Sequence, residues 1–186
     1  MAKKEIKRGS YLYPMPVVIV GSNNGGRANF MTAAYCGMMN IKPPIVALGL
    51  AISHFTIAGI KENSTFSVNI PSSSLMKATD YCGIVSGNDV DKSDVFKVFY
   101  GHLGTAPMVG ECPLTMECKL VSITEFQPDA LVVGEIMAAY CEEDCLGEKL
   151  PDIDKIDPML YSMGDNTYRS VGKKLGTAWH AGKGYR

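Results

Sequence analysis

Ala28–Thr56, ANFMTAAYCGMMNIKPPIVALGLAISHFT, is the stretch whose reading decides the fold. Its first part, Asn29 to Met39, is built from small and medium side chains and reads as β structure. Lys42-Pro43-Pro44 then stops regular structure, because each proline lacks an amide donor and restricts the residue before it. Ile45 to Leu50 is a continuous apolar run of strand length, the pattern of a strand buried on both faces. Ser53 is a good N-cap, and Phe55, Ile57 and Ile60 give His54 to Asn63 an apolar helical face. Two strands thus feed a helix start, with polar groups where a ligand could reach backbone amides.

Upstream, Tyr13-Pro14-Met15-Pro16 excludes a helix, and the β-branched run Val17 to Val20 predicts a strand. Gly21 to Gly26 lacks both the GxGxxG spacing and a GK[ST] ending, so a hairpin turn explains its glycines better than a phosphate loop does. Downstream, Thr65 to Ile70 predicts another strand. Ser72 or Ser73 is expected to cap a helix running through Cys82, with Leu75, Met76 and Thr79 on one face. Gly83 to Asp91 reads as loop, and a short helix is expected around Val95, Phe96 and Val98. Leu114, Met116, Cys118 and Leu120 alternate with polar residues, and Leu131 to Cys141 alternates again beyond the Gln127-Pro128-Asp129 turn. Those two arms predict an antiparallel hairpin long enough to close a barrel. The segment from Asp152 to Arg186 reads as an arm that packs on the body or on a partner subunit. No repeat, low-complexity tract or linker divides residues 1–186, so a single domain is expected.

Composition narrows the function classes. The chain has 186 residues, with 18 Lys and Arg against 19 Asp and Glu, and no basic block that would support nucleic-acid binding. Its apolar runs are far shorter than the ~20 residues of a membrane helix. MAKKEIKRGS leads into Tyr11-Leu12-Tyr13-Pro14 instead of an apolar signal core, so a cytoplasmic location is expected. The six cysteines are scattered and are expected to be free and mostly buried. Cys141 and Cys145 lack the further pair that a zinc site needs.

The helix start at Ser53 to Thr56 offers unpaired amides, two hydroxyls and a histidine within one turn, a setting that takes phosphate readily. A plain cap with a solvated His54 is the ordinary alternative. Lys92, near the start of the short helix expected after Asp91, reads on its own as a solvated surface lysine. Neither a hydrolytic triad nor a Rossmann fingerprint is present.

Taken in order, Tyr13-Pro14-Met15-Pro16-Val17, Gly26-x-x-Asn29-Phe30-Met31-Thr32, Pro43-Pro44, His54-x-Thr56-x3-Ile60, Phe66-x-Val68-Asn69 and Glu117-Cys118 resemble the flavin reductase-like, FMN-binding split-barrel family. The resemblance implies a mainly β protein with short helices, a six-stranded antiparallel split barrel of Greek-key character, assembled as a homodimer with FMN near the interface. It implies that Asn29, Phe30, Met31, Thr32 and Ala33 line the flavin ring and ribityl chain, with Tyr35 nearby. Ala51, Ser53, His54, Phe55 and Thr56 would hold the phosphate. Lys92 would reach the flavin, and if it lay at the N1/C2 edge its charge would raise the potential. Tyr161 would cover the ring, with Tyr168 as the competing aromatic. Two redox functions follow from the resemblance: an electron carrier serving a redox protein partner, or an NAD(P)H-dependent flavin reductase. A split-barrel binding protein without redox chemistry is the third possibility.

Overall fold

The structure is a computed structural model describing residues 1–185; Arg186, the last residue of the expected arm, lies outside the described residues. In chain order the strands and helices are β1 (Met15–Pro16), β2 (Val18–Asn24), β3 (Arg27–Ala33), β4 (Cys36–Ile41), β5 (Pro44–Ala51), α1 (Phe55–Asn63), β6 (Thr65–Ile70) and α2 (Met76–Ile84). There follow β7 (Val98–Phe99), β8 (Met108–Val109), β9 (Leu114–Glu125), β10 (Asp129–Cys141), α3 (Ile153–Ile156), β11 (Met159–Ser162) and β12 (Thr167–Ser170).

Seven strands form one antiparallel sheet in the order β3-β2-β6-β9-β10-β5-β4. Its two edge strands, β3 and β4, are separated in sequence only by Ala34 and Tyr35. A two-residue link spans so little that the sheet must roll until its edges approach each other. No ladder joins them, so the barrel stays split along that seam. This is the expected split barrel with one strand more than expected. The seventh strand arises because Asn29 to Met39 breaks at Ala34-Tyr35 and contributes to both edges, and Lys42-Pro43 serves as the turn of a β4–β5 hairpin.

Alternation on β2 shows how the layers are made. Val18 and Val20 point into the barrel with Leu48, Phe66 and Val132, while Ile19 points outward into a second cluster with Phe30, Cys82 and Phe96. The first cluster also takes in α1, through Ile57 and Ile60. The second lies beneath α2. Gly21 and Ser22 belong to β2, and only Gly25 and Gly26, at φ 58° and 83°, make the hairpin turn.

Four local expectations are corrected. Ser53 does not cap α1: His54 holds the N-cap position, without a side-chain cap bond. A missing cap costs about 1 kcal/mol, whereas burying Ile57 and Ile60, at 3% and 0% exposure, returns roughly 1.5–3 kcal/mol each. Packing therefore decides where this helix begins. Ser72 and Ser73 do not cap α2 either, because Ser72 bonds Ser74 at 2.7 Å and Ser73 donates to Asp157. Met76, expected on the buried face, is exposed. The short helix expected around Val95, Phe96 and Val98 is absent. Phe96 is held edge-on to Phe30, 5.4 Å between ring centroids, and Val98 pairs with Val109 in the β7–β8 ladder.

The β9–β10 hairpin carries a fully buried acid, Glu117. Its carboxylate accepts the amides of His102 and Leu103 and the Tyr140 hydroxyl, each at 2.9 Å. It thereby fastens the 101–104 loop to the barrel wall. The six cysteines are free, and Cys82, Cys112, Cys118 and Cys145 are buried. Among the described residues no helix is long and apolar enough to cross a membrane.

In the C-terminal arm, β11 and β12 form a three-stranded sheet with β1 and set Tyr161 opposite Tyr168. Beyond β12 the described residues carry no strand or helix, and Trp179 is exposed instead of packing on the body.

Candidate functional site

The α1 N-terminus opens a cleft of about 180 Å³, walled by Met31 and Thr32 of β3, by His54, Phe55 and Thr56, by the end of α2 and the loop after it through Gly87, and by Lys92. The amides of Phe55 and Thr56 begin the helix without a backbone acceptor, the position from which a helix attracts anions. Thr56 Oγ1 accepts a 2.9 Å bond from Asn29 Nδ2, which leaves the Thr56 hydroxyl proton for a ligand. Asn29 is buried and its Oδ1 has no hydrogen-bond partner among the described residues.

Lys92 is 3% exposed, not a solvated surface residue. Its ammonium donates to the carbonyls of Val85 at 3.1 Å and Cys82 at 3.4 Å, at the C-terminal end of α2 where the helix dipole favours a cation. Two of its three protons are thus used and one is left. Burial pushes the Lys92 pKa down. His54 is also pushed below its ordinary 6.5, first by burial, with Asp129 opposing and Lys92 adding to the effect, so it is mainly neutral at pH 7.

A second groove, of about 390 Å³, shares Thr32, Gly83 and Ile84 with the first and continues over Ala33 and Ala34 to Tyr161, Asn166 and Tyr168. Its waist is Gly83, where an added Cβ would stand 3.3 Å from Thr32 Cβ. Because β3 is a sheet edge, part of its backbone has no ladder partner and can pair with a planar heterocycle. On the far wall the two tyrosine rings lie 6.2 Å apart, tilted by 51°. Tyr161 donates to Asn166, and Tyr168 donates to Asp80 Oδ1 at 2.8 Å.

The expected site residues separate by position. Met31, Thr32, His54, Phe55, Thr56 and Lys92 line the first cleft, and Thr32, Ala33 and Tyr161 line the second. Lys92 shares its cleft with the helix terminus and is absent from the tyrosine-walled groove. The Thr32 hydroxyl donates to the Thr79 carbonyl. Asn29 stands behind the cleft and acts on it through Thr56. The Phe30 side chain is fully buried against Phe96, away from the cleft.

Ala51 and Ser53 line neither space; their carbonyls accept the His54 amide at 2.9 Å and Asn88 Nδ2 at 3.5 Å. Tyr35 lines a third, apolar groove of about 520 Å³ with Tyr11 and Leu12, joined to the ring-sized groove through Ala34. Sequence reasoning missed the wall from Cys82 to Gly87 and the pair of Asp80 and Asn166. The one available signal was the spacing of Gly83, in the last turn of α2, and Gly87 beyond it, a mark of close backbone approach.

A split barrel with an anion-attracting helix end at one side of a groove and an aromatic-walled slot at the other defines a class of cofactor-binding protein. Residues 10–171 match the flavin reductase like domain, and the chain belongs to that family of flavin-binding redox proteins. It is similar to the crystal structure of flavoredoxin from Methanosarcina acetivorans, with 47% identity, a TM-score of 0.97 and 100% of both chains covered. It is also similar to flavoredoxin of Desulfovibrio vulgaris (Miyazaki F), with 35% identity, a TM-score of 0.91, and 98% of this chain and 100% of the other covered. An uncharacterized protein of Aeropyrum pernix is 26% identical over 153 residues, 81% of this chain, and the matched part is 58% of that protein's length.

Proposed function

We propose that this chain binds FMN and transfers electrons through it between redox protein partners, in the manner the likeness to flavoredoxin suggests. One observation carries the reading: two adjoining spaces that share Thr32, Gly83 and Ile84 lead from a buried cation and free helix amides to a slot lined by an edge strand and two tyrosines. They match the two ends of FMN, a phosphate dianion and a flat isoalloxazine ring. When bound, FMN supplies the one- and two-electron chemistry.

The chain's own residues bind and orient it. The Phe55 and Thr56 amides, the Thr56 hydroxyl and Lys92 hold the phosphate. Asn29 fixes the Thr56 rotamer, β3 and Ala34 offer backbone groups to the ring, and Tyr161 with Tyr168 cover it. His54, at the start of α1, offers a further hydrogen bond to the phosphate. Met38, Met39 and Ile41, all exposed at the barrel seam on β4, favour a second copy of the chain as cover, giving a homodimer.

The test is anaerobic mixing of the FMN-loaded protein with NADH or NADPH. A carrier stays oxidised with either nucleotide yet is reduced by dithionite; rapid bleaching by a nucleotide overturns the carrier reading. That second reading, an NAD(P)H-dependent reductase, is favoured by the apolar groove at Tyr35, which adjoins the ring slot through Ala34 and has room for a nicotinamide. Failure of the purified protein to take up FMN at all would leave the split-barrel binding protein without redox chemistry. A narrower prediction concerns the waist. Gly83→Val puts branched carbons against Thr32 and should weaken FMN binding at least about tenfold, or ~1.4 kcal/mol, in a flavin fluorescence titration, with the melting temperature of the empty protein little changed.

A further inference from the structure

We propose that Asp80 sets the reduction potential of the bound flavin by holding a carboxylate against the ring slot, and that Tyr168 damps its charge. The proposal rests on the FMN reading above and deepens it. Among the described residues lining the slot, Asp80 is the one with a charged side chain; the others are apolar, alcohol, amide or phenol groups and glycine. Among the described residues Asp80 has no salt-bridge partner. Arg169 on the arm is paired with Asp165 at 2.6 Å, and Lys92 lines the phosphate-side cleft and not this slot. Asp80 is partly buried, and one of its oxygens accepts the Tyr168 hydroxyl at 2.8 Å. Burial first, and then the bond to Asp80, push the Tyr168 pKa up, so the phenol keeps its proton and donates it to Asp80.

Reduction of the ring is FMN + 2e⁻ + H⁺ → FMNH⁻, so the ring gains one negative charge. A carboxylate lining the slot repels that charge and favours the oxidised form. The phenol proton, pointed at the same carboxylate, withdraws part of its charge through a charge-assisted hydrogen bond. The two residues therefore act with opposite signs. Removing the carboxylate charge raises the potential, and removing the phenol lowers it.

The experiment is a redox titration of FMN-loaded wild type, Asp80→Asn and Tyr168→Phe with dithionite and a reference dye, together with the dissociation constant of oxidised FMN for each. Asp80→Asn keeps an oxygen for Tyr168 and should bind reduced relative to oxidised FMN about tenfold more tightly, a rise of about 30 mV for a two-electron couple. Tyr168→Phe should move the potential the other way, and Asp80→Glu should stay close to wild type. A wild-type potential in FMN-loaded Asp80→Asn overturns the proposal, as does a shift of the same sign in Asp80→Asn and Tyr168→Phe, which general loosening of the slot would produce. Failure of the FMN reading is distinct: the wild type itself would then take up no flavin.

Discussion

Lys92→Met weakens FMN binding by about 100-fold, or ~2.7 kcal/mol, while the empty protein keeps its stability to within about 1 kcal/mol. The asymmetry follows from where the charge sits. Lys92 is buried, its hydrogen-bond acceptors among the described residues are two neutral carbonyls, and its pKa is pushed down. A lysine whose folded pKa lies below its unfolded value destabilises the fold wherever the folded form must carry the charge, and this cost vanishes as pH rises through the unfolded value of 10.5. At neutral pH methionine removes that cost and keeps the aliphatic packing, at the expense of two donors to the end of α2. Those effects oppose each other. A phosphate dianion brought into the cleft changes the balance, because the third ammonium proton then gains a charged acceptor in a setting shielded from water. Fluorescence titration with FMN and thermal melts of the empty protein check both halves. Equal loss of melting temperature and affinity would mean that Lys92 only supports α2, and unchanged affinity would remove it from the phosphate site.

Lys92 also shows where the sequence was legible and where it was not. Periodicity exposed the long β9–β10 hairpin, because a strand's side chains alternate without reference to anything distant. The α1 start is visible as an anion-binding terminus for a similar local reason, although Ser53 is the better cap by residue type and the packing of Ile57 and Ile60 sets the cap at His54. The burial of Lys92 had no local signature. It depends on α2 ending at Ile84 and on the loop after it returning along β3, held there by the 2.7 Å pair of Arg27 with Asp91. Asp80 and Tyr168 meet across 88 positions of sequence, a pairing that no window of residues reveals. Phe30 erred in the opposite sense. Met31 and Thr32 line the cleft, whereas Phe30, on the α2 face of β3 with Thr32, is fully buried in the cluster of Ile19, Cys82 and Phe96.

Glu117→Gln destabilises the protein by about 3 kcal/mol, since a buried donor left without its acceptor costs roughly 1–3 kcal/mol and bonds to a charged group sit at the upper end. For a chain of this size that lowers the melting temperature by roughly 10 °C. Glutamine keeps one carbonyl oxygen but turns an NH₂ group toward one of the amides of His102 and Leu103, or toward the Tyr140 hydroxyl. Gly101 leaves the loop little room to retreat, as an atom added there would stand 2.6 Å from Glu117 Oε1. The pH dependence identifies the charge as the cause. Burial alone would raise the Glu117 pKa, yet the two amides and the phenol hold it below its ordinary 4.5. A carboxyl with a depressed folded pKa contributes stability that is fully present above its unfolded value and is lost as pH falls through the folded one. The gap between wild type and Glu117→Gln should therefore be constant from about pH 6 to 8 and close as the solution is acidified below 4.5. Urea unfolding at a series of pH values measures it. A gap that persists unchanged at pH 3 would mean that glutamine disturbs packing instead of charge, and Tyr140→Phe, which removes a single donor, should cost only about 1 kcal/mol over the same neutral range.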